Sequence, residues 1–231
     1  MIEHNIIFSL HIHHVIIDNE FIIFDTNKCE YILLNTFRSG ILLDVFSQPN
    51  LLSDQDEFID FLFINNIIEK SPLKQSLNHY LGSIIGIDNY EWRLNRHYQC
   101  KHLTMINYCT AVLMLSKVKM LLSLFGLGYL LKSLHNKKKK SMGIFSTMSY
   151  DKALVFNAAL RHVSVFLPFK TECLEHSLAL FSLLIKIDRN ITLNIGVQNY
   201  TFLAHAWIEM DNRIIGDNHE LNKKLAIIFK L

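Results

Sequence analysis

The spacing of hydrophobic and polar positions divides the chain into three stretches. Near the start, HHVIIDNEFIIFD (His13 to Asp25) holds two β-branched, aromatic-rich runs that meet at Asp18-Asn19, which predicts a hairpin. After the turn-like DTNK, residues 30 to 34 (EYILL) predict a third strand. Asn35 or Thr36 can cap a helix running to about Phe46. Ser53 with Asp56 gives a capping-box-like start to a second helix, DEFIDFLF. Past Asn65-Asn66, IIEKSPL leaves this unit and Pro72 marks its end. Residues 76–145 read as mostly helical. Within them Leu103 to Leu134 is strongly apolar, but Lys117 and Lys119 interrupt it, leaving pieces shorter than the roughly 18 residues of a spanning helix. The pattern predicts a pair of buried helices, then a solvated basic loop at Lys137 to Lys140 and a flexible connection over Ser141 to Ser149.

The last stretch, residues 146–231, predicts a helix over about 151–164 and a second in TECLEHSLALFSLLIKI. There Leu174, Leu178, Phe181 and Ile185 recur on one face. Beyond the turn at Asp188-Arg189-Asn190 come three strand-like runs, ITLNIGV, TFLAHAWIEM and RIIGD. Together these elements predict an α+β chain with a small three-stranded unit at 1–75, a helical segment at 76–145 and an antiparallel-sheet domain at 146–231.

Half of the 231 residues are hydrophobic and 19% are charged, which excludes a disordered chain, and a net charge of +2 gives no argument for nucleic acid. Cys29, Cys100, Cys109 and Cys173 form no C-x-x-C pair and no zinc spacing, so no metal is expected. MIEHNIIFSLHIHH lacks a cationic region followed by a clean apolar run. The expected setting is therefore the reducing cytoplasm, with peripheral membrane contact through the 103–134 region as the alternative. His11, His13 and His14 read as surface or edge residues, Cys29 as a turn residue, and Cys100 and Cys109 as helical without a chemical partner.

One cysteine is placed for chemistry. Thr171 is a natural N-cap, which puts Cys173 in the first turn of its helix, where unpaired N–H groups and the helix dipole favour a thiolate and can hold an oxyanion. A strand over 202–210 places His205, Trp207 and Glu209 on one face. With a two-residue turn at Asp211-Asn212, Asp217 opposes Ala206 and points away from the imidazole. With a three-residue loop the pairs become Glu209 with Arg213, Trp207 with Ile215 and His205 with Asp217, so we expect the latter. A Cys-His-Asp order of this kind supplies a nucleophile, a base and an orienting carboxylate. Glu209 reads as a salt-bridge residue, Trp207 as a residue shaping the cleft, and His176 as a histidine on the helix surface.

CLEHSLAL, IGV and FLAHAWIEMDNRIIGD closely resemble the C-terminal domain of lasso peptide maturation proteases, the transglutaminase-like B proteins of lasso peptide biosynthesis. The motifs are a helix opening on Cys173-Leu174, a strand end at Gly196-Val197, the run Ala204 to Glu209, and Asp217. One departure is Asp211-Asn212, where many relatives carry glycine; Asn tolerates the same backbone. The resemblance implies a transglutaminase-like or papain-like fold with Cys173 as nucleophile, His205 as base and Asp217 as orienting acid. More loosely, it implies that residues 1–75 are a winged-helix-like leader-recognition domain. The precursor's leader would add beside Tyr31, Ile32, Leu33 and Leu34, with Phe58, Phe61 and Leu62 lining the groove.

The activity implied is removal of the leader from a ribosomally made lasso precursor, beside an asparagine-synthetase-like cyclase that closes the macrolactam. ATP dependence is implied too, though no Walker-type loop places a nucleotide. The alternatives are an acyltransferase using the same triad and a leader-binding scaffold without catalysis. A DNA-binding regulator is disfavoured because the candidate recognition helix, SDQDEFIDFLF, is acidic.

Overall fold

The computed structural model describes residues 5–48, 57–82, 84–87, 103–140, 150–186 and 190–231. Ser53 and Asp56, Cys100, the Ser141 to Ser149 connection and Asp188-Arg189 lie outside the described residues. The fold is α+β with antiparallel sheets, and the chain divides into two compact units, 1–83 and 84–231.

In the first unit β2 (Ile12–Ile17) and β3 (Glu20–Asp25) form the expected hairpin. Asp18 and Asn19 both take positive φ, 49° and 63°, as a tight turn matching strand twist requires. β4 (Glu30–Leu33) pairs with β3 on its far side and forms the edge of the order β2-β3-β4. Asn35 caps α1 (Thr36–Ser47), its side chain accepting from the Arg38 N–H at 3.0 Å. α2 covers Glu57–Ile64. IIEKSPL does not leave the unit: Ile68–Ser71 is β5, paired with β1 (Asn5–Phe8) in a separate ribbon. Its apolar ends, Ile67 and Ile68, are buried with Phe8, Phe21, Leu42 and Leu62 in one core, a tertiary reward that local pattern does not reveal.

Two side chains tie this unit together. Ser39, fully buried on α1, accepts from the Phe21 N–H at 2.9 Å and donates to Leu34 O at 3.3 Å, fixing the helix to β3. His14 is buried, contrary to the surface reading. It stacks on Phe8 at 4.3 Å and its Nε2 accepts from the Asn78 N–H. Burial, with the charges of His13 and His79, pushes its pKa down to about 4.

In the second unit α3 (Met105–Lys140) bends at Gly126 (φ 75°, ψ 174°), so a pair of helices is present but only partly buried. Ala111, Leu115 and Val118 face the core, whereas Met105, Ile106, Leu113, Leu124 and Phe125 are exposed. By length and composition this helix is long and apolar enough to cross a membrane despite Lys117 and Lys119. The lysine run is no loop. It forms the last turn of α3, and Lys138 Nζ donates to Ile191 O at 2.7 Å and Leu231 O at 3.3 Å.

α3 packs on α4 (Tyr150–Phe166) and α5 (Cys173–Leu184), with Lys119 paired to Glu175 at 2.8 Å. The sheet has the order β8-β7-β6-β9, from Arg213–Ile214, Leu203–Met210, Ile191–Gln198 and Ala226–Lys230. A short helix, α6 (Leu221–Lys224), precedes β9, a strand the pattern reading did not anticipate.

Ser39→Ala is expected to leave the Phe21 N–H buried without its partner and to lower stability by about 1–3 kcal/mol. A urea unfolding midpoint unchanged by the substitution would contradict this role.

Candidate active site

α5 begins one residue later than the sequence suggests. Glu172, rather than Thr171, is the N-cap, and the Glu175 carboxylate accepts from the Glu172 N–H at 3.0 Å. Cys173 is therefore the first helical residue, half-buried at the helix start. Burial pushes the thiol pKa up, and the carboxylates of Glu172 and Glu175 add to this. Backbone hydrogen bonds from Ala206 and Leu174 oppose the rise without cancelling it. The Cys173 side chain therefore rests as a thiol, not the thiolate expected from the helix terminus alone.

Asp217 lies beside His205: imidazole Nε2 and carboxylate Oδ2 are 2.9 Å apart, and both residues are buried, at 3% and 6% exposure. The route to that contact differs from the expected one. β7 and β8 pair Glu209 with Ile214 and Met210 with Arg213 across a two-residue turn, with Asp211 and Asn212 both at positive φ. The ladder continues only as far as the Ile215 N–H, which donates to Ile208 O at 2.9 Å. Continued regularly, this register would carry Asp217 opposite Ala206, on the wrong face. Gly216 prevents it. Its φ of +63° turns the chain out of the strand, and Asp217 swings back to the imidazole.

α4 holds that corner through one helical face, Tyr150, Asn157 and Arg161. The Tyr150 hydroxyl donates to Ile214 O at 2.6 Å, and its ring lies 4.1 Å beneath the Arg213 guanidinium. The Arg161 guanidinium donates to Gly216 O. Asn157 abuts Gly216 so closely that a Cβ there would sit 2.0 Å from its Nδ2. The Asn157 carbonyl also meets His176 Nε2 at 2.9 Å, linking the corner to the helix that carries Cys173. His176 is thus a buried positioning residue rather than a surface one. Burial first, then the charges of Arg161 and His205, lower its pKa to about 3. Asn157 and Arg161 escaped the sequence reading. Their signal is a pair of polar residues four apart, at a spacing that shares one helix face, within the apolar run LVFNAALRHV.

Burial, followed by the Arg161 charge, lowers the His205 pKa to about 3. The Asp217 carboxyl is pushed up to about 7 by burial, against the lowering effect of the Asn218 N–H on its Oδ1 at 2.7 Å. The imidazole is neutral, so its contact with Asp217 is a hydrogen bond rather than an ion pair. Cys173, His205 and Asp217 line one cavity of ≈ 10 Å³ together with Asn157, Arg161 and Trp207, room for about one water. Trp207 stacks beside His205, with centroids 6.2 Å apart, and packs over Gly196, where a Cβ would come within 2.7 Å of the indole. Glu209 makes no salt bridge to Arg213. It is buried and accepts from Trp207 Nε1 at 3.0 Å and Asn222 Nδ2 at 2.7 Å.

A second concavity lies in the first unit. Between β4, α1 and α2 a groove of ≈ 540 Å³ is lined by Ile32, Leu34, Phe37, Arg38, Ile41, Glu57, Phe58, Phe61 and Leu62. Tyr31 falls on the other face of β4, stacked on Phe24 at 4.5 Å, and Leu33 is largely exposed. Its volume and apolar lining are those of a ligand site, with Arg38 and Glu57 as charged groups at its wall.

Gly216→Ala forces a side chain into a positive-φ position and against Asn157, so it is expected to destabilise the unit by about 2 kcal/mol or more. Adding Asn157→Ala relieves the clash but not the φ strain, and is expected to recover only part of the loss. A thermal midpoint for Gly216→Ala equal to that of the parent would contradict the corner's role.

A family model described as the transglutaminase-like superfamily matches residues 114–230, from the first arm of α3 to the end of β9. The microcin J25-processing protein McjB of Escherichia coli is 33% identical over 63 residues, covering 27% of this chain. The matched stretch covers only 30% of that relative's length. No solved structure matches. With half of its length matched, and a helix-borne cysteine beside a strand-borne histidine and its acid, the chain belongs to the transglutaminase-like superfamily.

Proposed function

We propose that this protein is a cysteine peptidase that removes the leader from a lasso-type precursor peptide. The observation that carries the reading is the buried His205–Asp217 hydrogen bond in a cavity shared with Cys173. Similarity to a microcin-processing protein supports the substrate class. In the reaction, His205 Nδ1 takes the Cys173 proton as sulfur attacks the scissile carbonyl. The oxyanion meets backbone N–H groups at the start of α5. The imidazolium then protonates the leaving amine. Water, activated by the same imidazole, hydrolyses the thioester and restores the thiol. Asp217 holds the tautomer throughout and stabilises the transient positive charge.

Because the resting pair is thiol and neutral imidazole, the proton transfer belongs to the attack itself. The cavity is too small for a peptide as it stands, so substrate affinity must come from elsewhere. The β4 edge and its groove serve this purpose. A leader added along Tyr31 to Leu34 gains backbone bonds, and its apolar side chains enter beside Ile32, Leu34, Phe58, Phe61 and Leu62. Holding the leader makes presentation of the scissile bond effectively intramolecular. On this reading the N-terminal unit recognises the leader, the second unit carries the chemistry, and an asparagine-synthetase-like cyclase acts on the freed end. For ATP, no glycine-rich turn among the described residues leads into a helix with a lysine in its first turn, so they build no P-loop-type site. No step here uses a nucleotide.

The test is incubation of the purified chain with precursor peptide, with and without ATP and the cyclase, followed by mass spectrometry. Cys173→Ala is expected to abolish leader removal while still binding the leader. Leu34→Asp is expected to weaken binding at least about tenfold, or about 1.4 kcal/mol, with Cys173 still open to alkylation. Cleavage by Cys173→Ala would overturn the triad, and a parent chain that binds without cleaving in every arm would mark a scaffold.

A further inference from the structure

We propose that the outer face of α3 seats the protein on an anionic lipid surface. Before the bend, the helix buries Ala111, Leu115 and Val118 against its own unit. Along the same arm Met105, Ile106, Leu113, Met120, Leu124 and Phe125 are each more than half exposed, an apolar cluster beyond scattered surface hydrophobics, with Lys117 and Ser123 exposed among them. At the bend Phe125 packs on Tyr129 at 4.9 Å, an aromatic pair suited to the headgroup level. The helix lies on the surface rather than crossing it. Its inner face packs on α4 and α5, Lys119 is held to Glu175, and Gly126 breaks its axis within the apolar stretch.

Charge identifies the occupant. Residues 105–140 contain seven lysines, Lys117, Lys119, Lys132 and Lys137 to Lys140, and no Asp, Glu or Arg. Burial first, then the charges of Lys117 and Lys186, lowers the Lys137 pKa, so one lysine from each arm lies in a shared positive patch. Protein interfaces are depleted in lysine, whereas this helix carries seven with no acidic residue to offset them. A broad aliphatic face beside clustered lysines instead matches the acyl boundary and phosphates of an anionic bilayer, each lysine contributing through simple proximity.

The test is flotation of the full chain with phosphatidylcholine vesicles, with and without phosphatidylglycerol, at low and high salt. The chain is expected to float with the anionic vesicles and to release as salt rises. Replacing Lys132, Lys137, Lys139 and Lys140 by Gln, while keeping the sheet-bonded Lys138, is expected to lower partitioning about fivefold per lysine. Leu113→Gln with Leu124→Gln is expected to lower it further, and both variants should keep the parent's Cys173 alkylation rate. Absence of flotation, or equal flotation on neutral vesicles, would overturn the proposal. So would a vesicle-indifferent chain that self-associates through this face, detected by sedimentation and reversed by the Leu113 and Leu124 substitutions; that outcome assigns the face to protein.

Discussion

The site depends on a corner at Gly216 where the backbone leaves its strand. Two residues earlier the chain is still in register with β7, and one residue later its carboxylate is bonded to a histidine on that same strand. A side chain at Gly216 would meet both a strained left-handed φ and the Asn157 amide. The corner has no stability of its own, so α4 supplies it. Tyr150, Asn157 and Arg161 fasten the strand end, the glycine and its carbonyl in sequence along one helical face. Asn157 also reaches His176 on α5, so a single helix ties the acid to the element carrying the thiol.

Burial then sets the chemistry. It drives the thiol and the carboxyl up and the imidazole down, leaving a site with little resting charge beside the Arg161 guanidinium. That arrangement suits a base that must be neutral to accept a proton, at the expense of a preformed thiolate. The buried hydrogen bond between His205 and Asp217 fixes the orientation of the ring.

Much of this was legible in the sequence where local chemistry decides the outcome. Asp18-Asn19 encodes a turn, Asn35 a cap, and the alternation from Leu203 to Met210 a strand with His205, Trp207 and Glu209 on one face. The neighbours His205 and Asp217 were named correctly but through the wrong register. Charge pairing of Glu209 with Arg213 looked better than the tight turn that Asp211-Asn212 forms, and Glu209 bonds Trp207 and Asn222 instead. The burial of His176 and of His14 on its edge strand, and the helical placement of the lysine run, share one cause. Each is set by a partner distant in sequence, namely Asn157, Asn78 and the carbonyls of Ile191 and Leu231. Period and propensity carry no information about such partners.

The proposed mechanism depends on the hydrogen bond between Nε2 of His205 and Asp217 that the corner at Gly216 makes possible. It is tested most directly by ¹H–¹⁵N NMR of the imidazole nitrogens across a pH series. An Nε2-protonated neutral ring is expected to persist as pH falls past the ordinary histidine value, charging only near the depressed value of about 3. An Nδ1-protonated ring, or titration of His205 near 6.5, the ordinary histidine value, would contradict it.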